Sequence, residues 1–278
     1  MKKFLFALWA LSLMLFSGCD KVNNDLNGRL VINVTDGPFP INFVESATVT
    51  ITKIEIRKAC DGVPDENPFL KVWEGTESFD LLQLRNGLVE ALTDIEVPQG
   101  KYDLVRLYVD KAGLKIKDGG TFDVKVPSGS QTGIKVFINP ELMVEGGLTA
   151  ELLLDFDLSS SFVMRGNMDS PAGINGFIFK PVIRAANNTE SGRIEGSVTD
   201  GEGAAIAEVL VEVMQEENVV GTAYTDVSGK YAVIGLAPGS YTVKASKTEY
   251  ESLTVDDKLV SAGNITVVDF VLTKTTTP

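Results

Sequence analysis

Apolar residues in this chain recur at every second position, and nowhere with the sustained period of a helix. Leu148, Ala150, Leu152, Leu154, Phe156 and Leu158 share one parity, the longest clean alternation present. Side chains two apart on a strand point to the same face, so this run predicts a strand with one buried side. Leu30, Ile32 and Val34 repeat the pattern, as do Phe122, Val124 and Val126, then Phe177, Phe179 and Ile183, then Val209, Val211 and Val213. Val49 and Ile51 lie on one parity but Ile54 and Ile56 on the other. A regular strand cannot bury all four, so a bulge or sharp twist is expected near Thr52–Lys53. Phe79–Leu84 and Val89–Leu92 have room for single helical turns and nothing longer. Many short strands separated by Gly and Pro give an all-β chain of sandwich or barrel type.

At 278 residues the chain is long enough for two cores. Residues 185–192 (AANNTESG) lack large apolar side chains, which divides the chain into a β-rich domain at 29–185, a linker at 186–191 and a second domain at 192–274. Residues 275–278 form a polar tail. Two tandem β-sandwiches are therefore expected. The second opens with turns at close intervals, Thr199–Gly203 and Thr225–Lys230, in which Asp200, Glu202 and Asp226 read as turn makers. Both regions contain a turn that leads through Gly to Tyr at the head of a strand. The first is Pro98-Gln99-Gly100-Lys101-Tyr102 and the second Pro238-Gly239-Ser240-Tyr241.

The start of the chain carries a different signal. Lys2 and Lys3 precede an apolar run from Phe4 to Phe16, followed by Ser17, Gly18 and Cys19. The run is shorter than the roughly 20 residues a bilayer span requires. The order of charged, apolar and small residues is that of a secretory signal. Ending in Cys19, it resembles that of a bacterial lipoprotein, with Phe16 where the motif usually has Leu. The resemblance implies that residues 1–18 are removed, that Cys19 is acylated and that residues 19–28 tether the lipid to the first domain. It implies the envelope of a Gram-negative bacterium and leaves inner membrane, periplasmic face of the outer membrane and surface display open; the paired sandwiches make the outer membrane or surface the expected place. The partner at that end is the lipid bilayer.

Composition narrows the chemistry. The formal charge is −13, and loss of Lys2 and Lys3 makes it two units more negative. Such a surface repels phosphate backbones, so nucleic acid is not an expected partner. Histidine is absent, which removes the commonest general base and the commonest zinc ligand. With Cys19 acylated, Cys60 is a lone thiol and no internal disulfide can form.

Residues from Gly192 to Lys274 resemble the carboxypeptidase regulatory-like domain. The resemblance lies in Gly196-Ser197-Val198-Thr199-Asp200, Val209–Val213, Thr225-Asp226, Gly229-Lys230-Tyr231 and Pro238-Gly239-Ser240-Tyr241. It implies a small prealbumin-like or starch-binding-like sandwich and no catalytic role. The first region resembles a widespread lipoprotein-associated domain of unknown function. There the matching pieces are Leu30–Asp36, Asp80-Leu81-Leu82, Pro98–Tyr102, Val126-Pro127-Ser128-Gly129-Ser130-Gln131-Thr132-Gly133, Leu154-Asp155-Phe156-Asp157 and Lys180–Arg184. No activity is carried over from that family.

Three groups of residues are candidate sites. Glu151, Asp155 and Asp157 lie on the parity opposite the buried face of their strand, an arrangement able to offer oxygens to Ca²⁺ or simply to be solvated. Asp155 and Asp157 have the alternative of capping backbone amides or pairing with Arg165 or Arg184. Ser128, Ser130, Gln131 and Thr132 supply hydroxyls and an amide suited to a polar ligand such as a sugar, or to the loop's own backbone. Trp73, near Phe69, offers a stacking surface or a core edge. No cofactor other than calcium is suggested. The expected function is a non-enzymatic, membrane-anchored module for binding, adhesion or envelope assembly, with a glycan or an envelope protein as partner. A carbohydrate-binding accessory lipoprotein for glycan uptake is the alternative, and a glycan hydrolase working through carboxylates alone is a further one.

Overall fold

The computed structural model describes residues 26–37, 44–59, 69–117, 119–126, 131–166 and 173–275. The first domain contains β1 (Asn27–Asp36), β2 (Val44–Lys58), β3 (Phe69–Asp80), β4 (Glu90–Pro98), β5 (Gly100–Ile116), β6 (Thr121–Lys125), β7 (Ile134–Val144), β8 (Thr149–Phe156), a single helical turn α1 (Leu158–Ser161), β9 (Phe162–Gly166), β10 (Ile174–Phe179) and β11 (Ile183–Asn187). Eight of these strands run in the order β3-β2-β5-β7-β11-β8-β1-β4, with β6 added to β5. The sheet folds over on itself at β7, which pairs with β5 on one side and, through Ile138 and Ala185, with β11 on the other. One core fills the fold, drawing Leu30, Ile32 and Val34 from β1, Ile54 and Ile56 from β2, and Leu152, Leu154 and Phe156 from β8. β9 and β10 form a separate hairpin, tied to β6 by an edge-on contact of Phe122 with Phe177.

The expected irregularity in β2 is present. Its pairing with both β3 and β5 shifts register between Ile51 and Lys53. The extra residue lets Val49, Ile51, Ile54 and Ile56 all become fully buried. Other expectations are corrected. Leu148 and Leu158 do not extend β8: Leu148 is 57% exposed, and Leu158 starts α1, which Asp157 caps by accepting the Ser160 amide. Val89–Leu92 makes no helical turn, since β4 starts at Glu90, whereas Leu81–Gln83 does form one 3₁₀ turn.

The second domain contains β12 (Gly192–Asp200), β13 (Leu210–Gln215), β14 (Asn218–Tyr224), β15 (Lys230–Leu236), β16 (Gly239–Ser246), β17 (Leu253–Val260), β18 (Ile265–Val267) and β19 (Phe270–Leu272). β12 lies beside β15, β18 and β19, and the opposing sheet runs β14-β13-β16-β17. Ile194, Val198, Val211, Val213, Val243 and Phe270 fill the space between them, as a core separate from the first. The protein is thus all-β. Gly196 on β12 permits the Val268 backbone to cross between β18 and β19, because a Cβ there would collide with the Val268 carbonyl. Asp200 and Asp226 are turn makers as expected: each accepts backbone amides two and four residues ahead.

The segment joining the domains is short. Ala186 and Asn187, expected in the linker, are buried residues of β11. Asn187 donates to the Glu141 carbonyl at 3.0 Å, and Ser191 donates back to the Asn187 carbonyl at 2.5 Å. At the other end the Thr275 amide donates to the Glu249 carbonyl.

Candidate functional site

The second domain is docked on the first through Arg184. On β11 this residue lies directly across from Asp155 on β8. Its Nη2 donates to Asp155 Oδ2 at 2.7 Å and to the Ile234 carbonyl at 2.9 Å, and its Nη1 donates to the Gly235 carbonyl at 2.8 Å. A planar guanidinium can satisfy a carboxylate and two carbonyls at once, which an ammonium does less well. Gly235, the next-to-last residue of β15, sits at φ +69° where that strand meets the first domain. A Cβ there would lie 2.8 Å from Leu153 Cδ2.

Beside this contact lies a cleft of about 650 Å³, within the size range of small-ligand sites and between two domains, where such sites concentrate. One wall is β7. Its inward positions include Ile138, Leu142 and Val144, so Lys135, Phe137 and Asn139 face outward. Phe137 is 71% exposed and is the one exposed aromatic side chain among the described residues. Val182 beside β11 and Val219 of β14 are also exposed at the cleft, and Gln215 contributes an amide from β13. Tyr241 forms part of the far wall, with its phenol donating to the Ala237 carbonyl at 2.6 Å. Burial pushes that phenol up, and Arg184 pulls against the shift. The described residues lining the cleft include two cations, Lys135 and Arg184, and no carboxylate.

Next to Lys135 across β5 stands Arg106, part of a polar cluster on the outer face of β2 and β5. Glu55 accepts from Tyr108 at 3.0 Å and pairs with Arg106 at 3.2 Å and Lys53 at 3.1 Å. Partial burial pushes the Glu55 carboxyl up, but bonds from Lys53 and Tyr108 and the Arg106 charge outweigh it and hold the group below the usual carboxylate range. Arg106 stacks over Phe69 at 3.5 Å, and Lys53 lies over Tyr108 at 3.8 Å.

The residues singled out from the sequence do not gather into one site. Gln131 and Thr132 are exposed in the turn entering β7 and are not among the residues lining the cleft. Trp73 is half-buried against the first core, beneath Gly75, and serves as a core edge. Glu151, Asp155 and Asp157 do not make a calcium cage. Glu151 accepts from the Asn188 amide at 3.0 Å, Asp155 is held by Arg184, and Asp157 caps α1 and accepts from Ser159. Among the described residues no three acidic, Cys or His side chains are grouped to hold a metal ion. Cys19, Cys60, Ser128 and Ser130 lie outside the described residues.

Two features escaped the sequence reading. Phe137 was detectable from parity, since Val136, Ile138, Leu142 and Val144 fix the inward face of β7 and leave it on the other. Asp36, at the end of β1, is the second. It shares parity with Leu30, Ile32 and Val34 and is buried, and neither carboxylate oxygen closes a hydrogen bond among the described residues. Desolvation, reinforced by Asp155 and Asp157, drives its carboxyl well above the usual range; the nearby Leu158 amide and Arg85 charge oppose the shift without reversing it.

Fold and cleft define a two-domain all-β protein, and comparison with known families agrees. Residues 27–181 match the family described as Domain of unknown function (DUF4382), and residues 193–273 match the Carboxypeptidase regulatory-like domain. The first match spans more than half of the chain, which belongs to the DUF4382 family. Neither description names a catalytic activity. No curated protein matches the chain. Among solved structures, 3-chlorocatechol 1,2-dioxygenase from Rhodococcus opacus 1CP is 19% identical over 31% of this chain and 60% of its own, with a TM-score of 0.25. A chain of a type II cohesin–X-dockerin complex from Acetivibrio cellulolyticus is 21% identical over 30% of this chain and 58% of its own, also at 0.25. In both cases less than two thirds of the other chain is spanned. The minor pilin of Streptococcus agalactiae is 11% identical over 90% of this chain and 98% of its own, again at 0.25.

Proposed function

We propose that this protein is a lipid-anchored, non-catalytic binding module of the bacterial cell envelope, which holds a ligand in the cleft between its two domains. The carrying observation is Phe137, an exposed ring at a cleft that combines apolar and polar lining. With Val182 and Val219 also exposed at the same cleft, the ring belongs to an apolar patch of the kind that marks interaction sites. The absence of carboxylates from the described lining gives a carboxylate-based hydrolase nothing to work with at this place. Acylated Cys19 supplies the membrane attachment, and outer-membrane surface display remains the expected location.

A carbohydrate ligand is the more specific reading. The C–H face of a sugar ring packs on an aromatic face, while its hydroxyls need amides such as Asn139 and Gln215 at the same cleft. Two experiments test the proposal. Full-length protein should incorporate palmitate and fractionate with the outer membrane, and Cys19→Ala should abolish both. The mature chain carrying Cys19→Ala should bind members of a glycan array in a manner lost in Phe137→Ala. Product release from a bound glycan would instead revive the hydrolase.

A further inference from the structure

We infer that the cleft selects a carboxylate-bearing sugar, a uronic-acid oligosaccharide or chain end, with Phe137 stacking the ring and Lys135 receiving the carboxylate. This rests on the binding-module reading and adds the ligand's charge.

The argument is one of contrast. The chain carries 38 acidic residues against 25 basic ones, yet the described lining of the cleft includes Lys135 and Arg184 and no Asp or Glu. A cleft with one sign of charge and low-dielectric walls concentrates the opposite sign in the ligand. The two cations differ in availability. Arg184 is spent on Asp155 and two carbonyls of the second domain. Lys135 is exposed and has no ion pair or hydrogen bond among the described residues. It stands two residues before Phe137 on the outward face of β7, so ring and ammonium point the same way, at the side-by-side spacing of a strand. Asn139 continues that row and can meet a hydroxyl. A neutral sugar offers the ammonium only hydroxyl oxygens, whereas a carboxylate gives it a charge-assisted bond. A uronic acid uses ring, amides and ammonium together.

The charge of the rest of the molecule limits the ligand's length. A net charge of −13 repels a long polyanion lying across the surface, so a short oligomer or a chain terminus is favoured over an internal stretch of polymer.

The test uses the mature chain with Cys19→Ala and calorimetric titration. The probes are short oligomers of galacturonate, mannuronate and hyaluronan, each beside its methyl ester, which keeps the sugar and removes the charge. At least one acid is expected to bind about tenfold more tightly than its ester, the ratio worth one charge-assisted contact. Lys135→Met should erase that ratio, lowering acid affinity to that of the ester. Phe137→Ala should weaken acid and ester together. Thermal melts must show that both variants remain folded. Equal binding of acid and ester, or a preference that survives Lys135→Met, overturns the inference but leaves the binding module intact. Failure of every acid to bind also overturns it. The broader reading falls separately, when no glycan, neutral or acidic, gives a signal sensitive to Phe137→Ala.

Discussion

Tyr102 and Tyr241 occupy equivalent places in the two domains. Each ring is buried, and each phenol donates to the backbone carbonyl four residues upstream, Pro98 at 2.7 Å and Ala237 at 2.6 Å. The two turns that lead into these residues therefore build the same device: the chain reverses, the ring enters the core, and the hydroxyl pins the start of the turn. A similar bond ties tyrosine corners in other sandwiches. Tyr102→Phe and Tyr241→Phe keep the ring and lose only the bond, so each should cost about 1 kcal/mol. The residues belong to separate cores, so the two costs should add. Urea unfolding of the single and double variants measures both statements. A double variant as stable as the parent would show that the turns need no pin.

Arg184 should govern how the domains sit together. Arg184→Ala removes its pairing with Asp155 and two bonds to carbonyls of the second domain. A loss of about 2 kcal/mol is expected, typical of charge-assisted bonds that are partly exposed. The loss should be largest in docking, so calorimetry should resolve two transitions where the parent shows one. Proteolysis between β11 and β12 should quicken. Arg184→Lys keeps the charge but not the fork and should fall closer to Ala than to the parent. Unchanged cutting in Arg184→Ala would mean that the short connection alone holds the domains.

What the sequence revealed and what it hid divide along physical lines. Strand parity is local, so the buried faces of β1 and β8 and the bulge at Ile51–Lys53 were readable from neighbouring residues. Turn chemistry is equally local, which is why Asp200 and Asp226 were placed correctly. The partners of Arg184 were half legible. Asp155 was an expected partner, but a backbone carbonyl has no side-chain signature, so Ile234 and Gly235 were invisible. The cleft was hidden for the same reason, since it exists only once β7 and β14 are brought together. Trp73 stayed open between its two readings, because aromatic character near a loop does not distinguish a ligand platform from a core edge.

Chelation should leave the first domain's stability unchanged. Each acidic side chain on β8 and at its end already has a protein partner: Asn188 for Glu151, Arg184 for Asp155, and the Ser160 amide for Asp157. A calcium ion would have to displace these contacts and still lack the six to eight oxygens it requires. Melting with EDTA and with millimolar calcium should give the same midpoint within a degree. An upward shift with calcium, absent in Asp155→Asn, would restore the metal reading.

Asp36 gives stability a pH dependence of unusual sign for a carboxylate. Ion-paired carboxylates such as Asp94, held low by its bond from Arg29, lose stability as pH falls. Asp36 does the reverse, because burial and the neighbouring Asp155 raise its value in the folded state. Below about pH 3.9 the group is protonated in both folded and unfolded chains and costs nothing. Above that value the unfolded chain releases the proton while the folded chain retains it. Stability therefore declines with rising pH until the folded group itself ionises, and then levels off. Asp36→Asn has the same shape and no charge to bury, and its amide can donate toward Asp155 or Asp157. It should match the parent near pH 3.5 and exceed it by about 1–3 kcal/mol at pH 8, the usual cost of an unsatisfied buried polar group. The difference between the two urea-unfolding curves across pH 3.5–8 isolates this residue from the oppositely behaving carboxylates. A difference that stays flat with pH, or an Asn variant weaker at pH 8, would mean that Asp36 ionises freely in the folded protein.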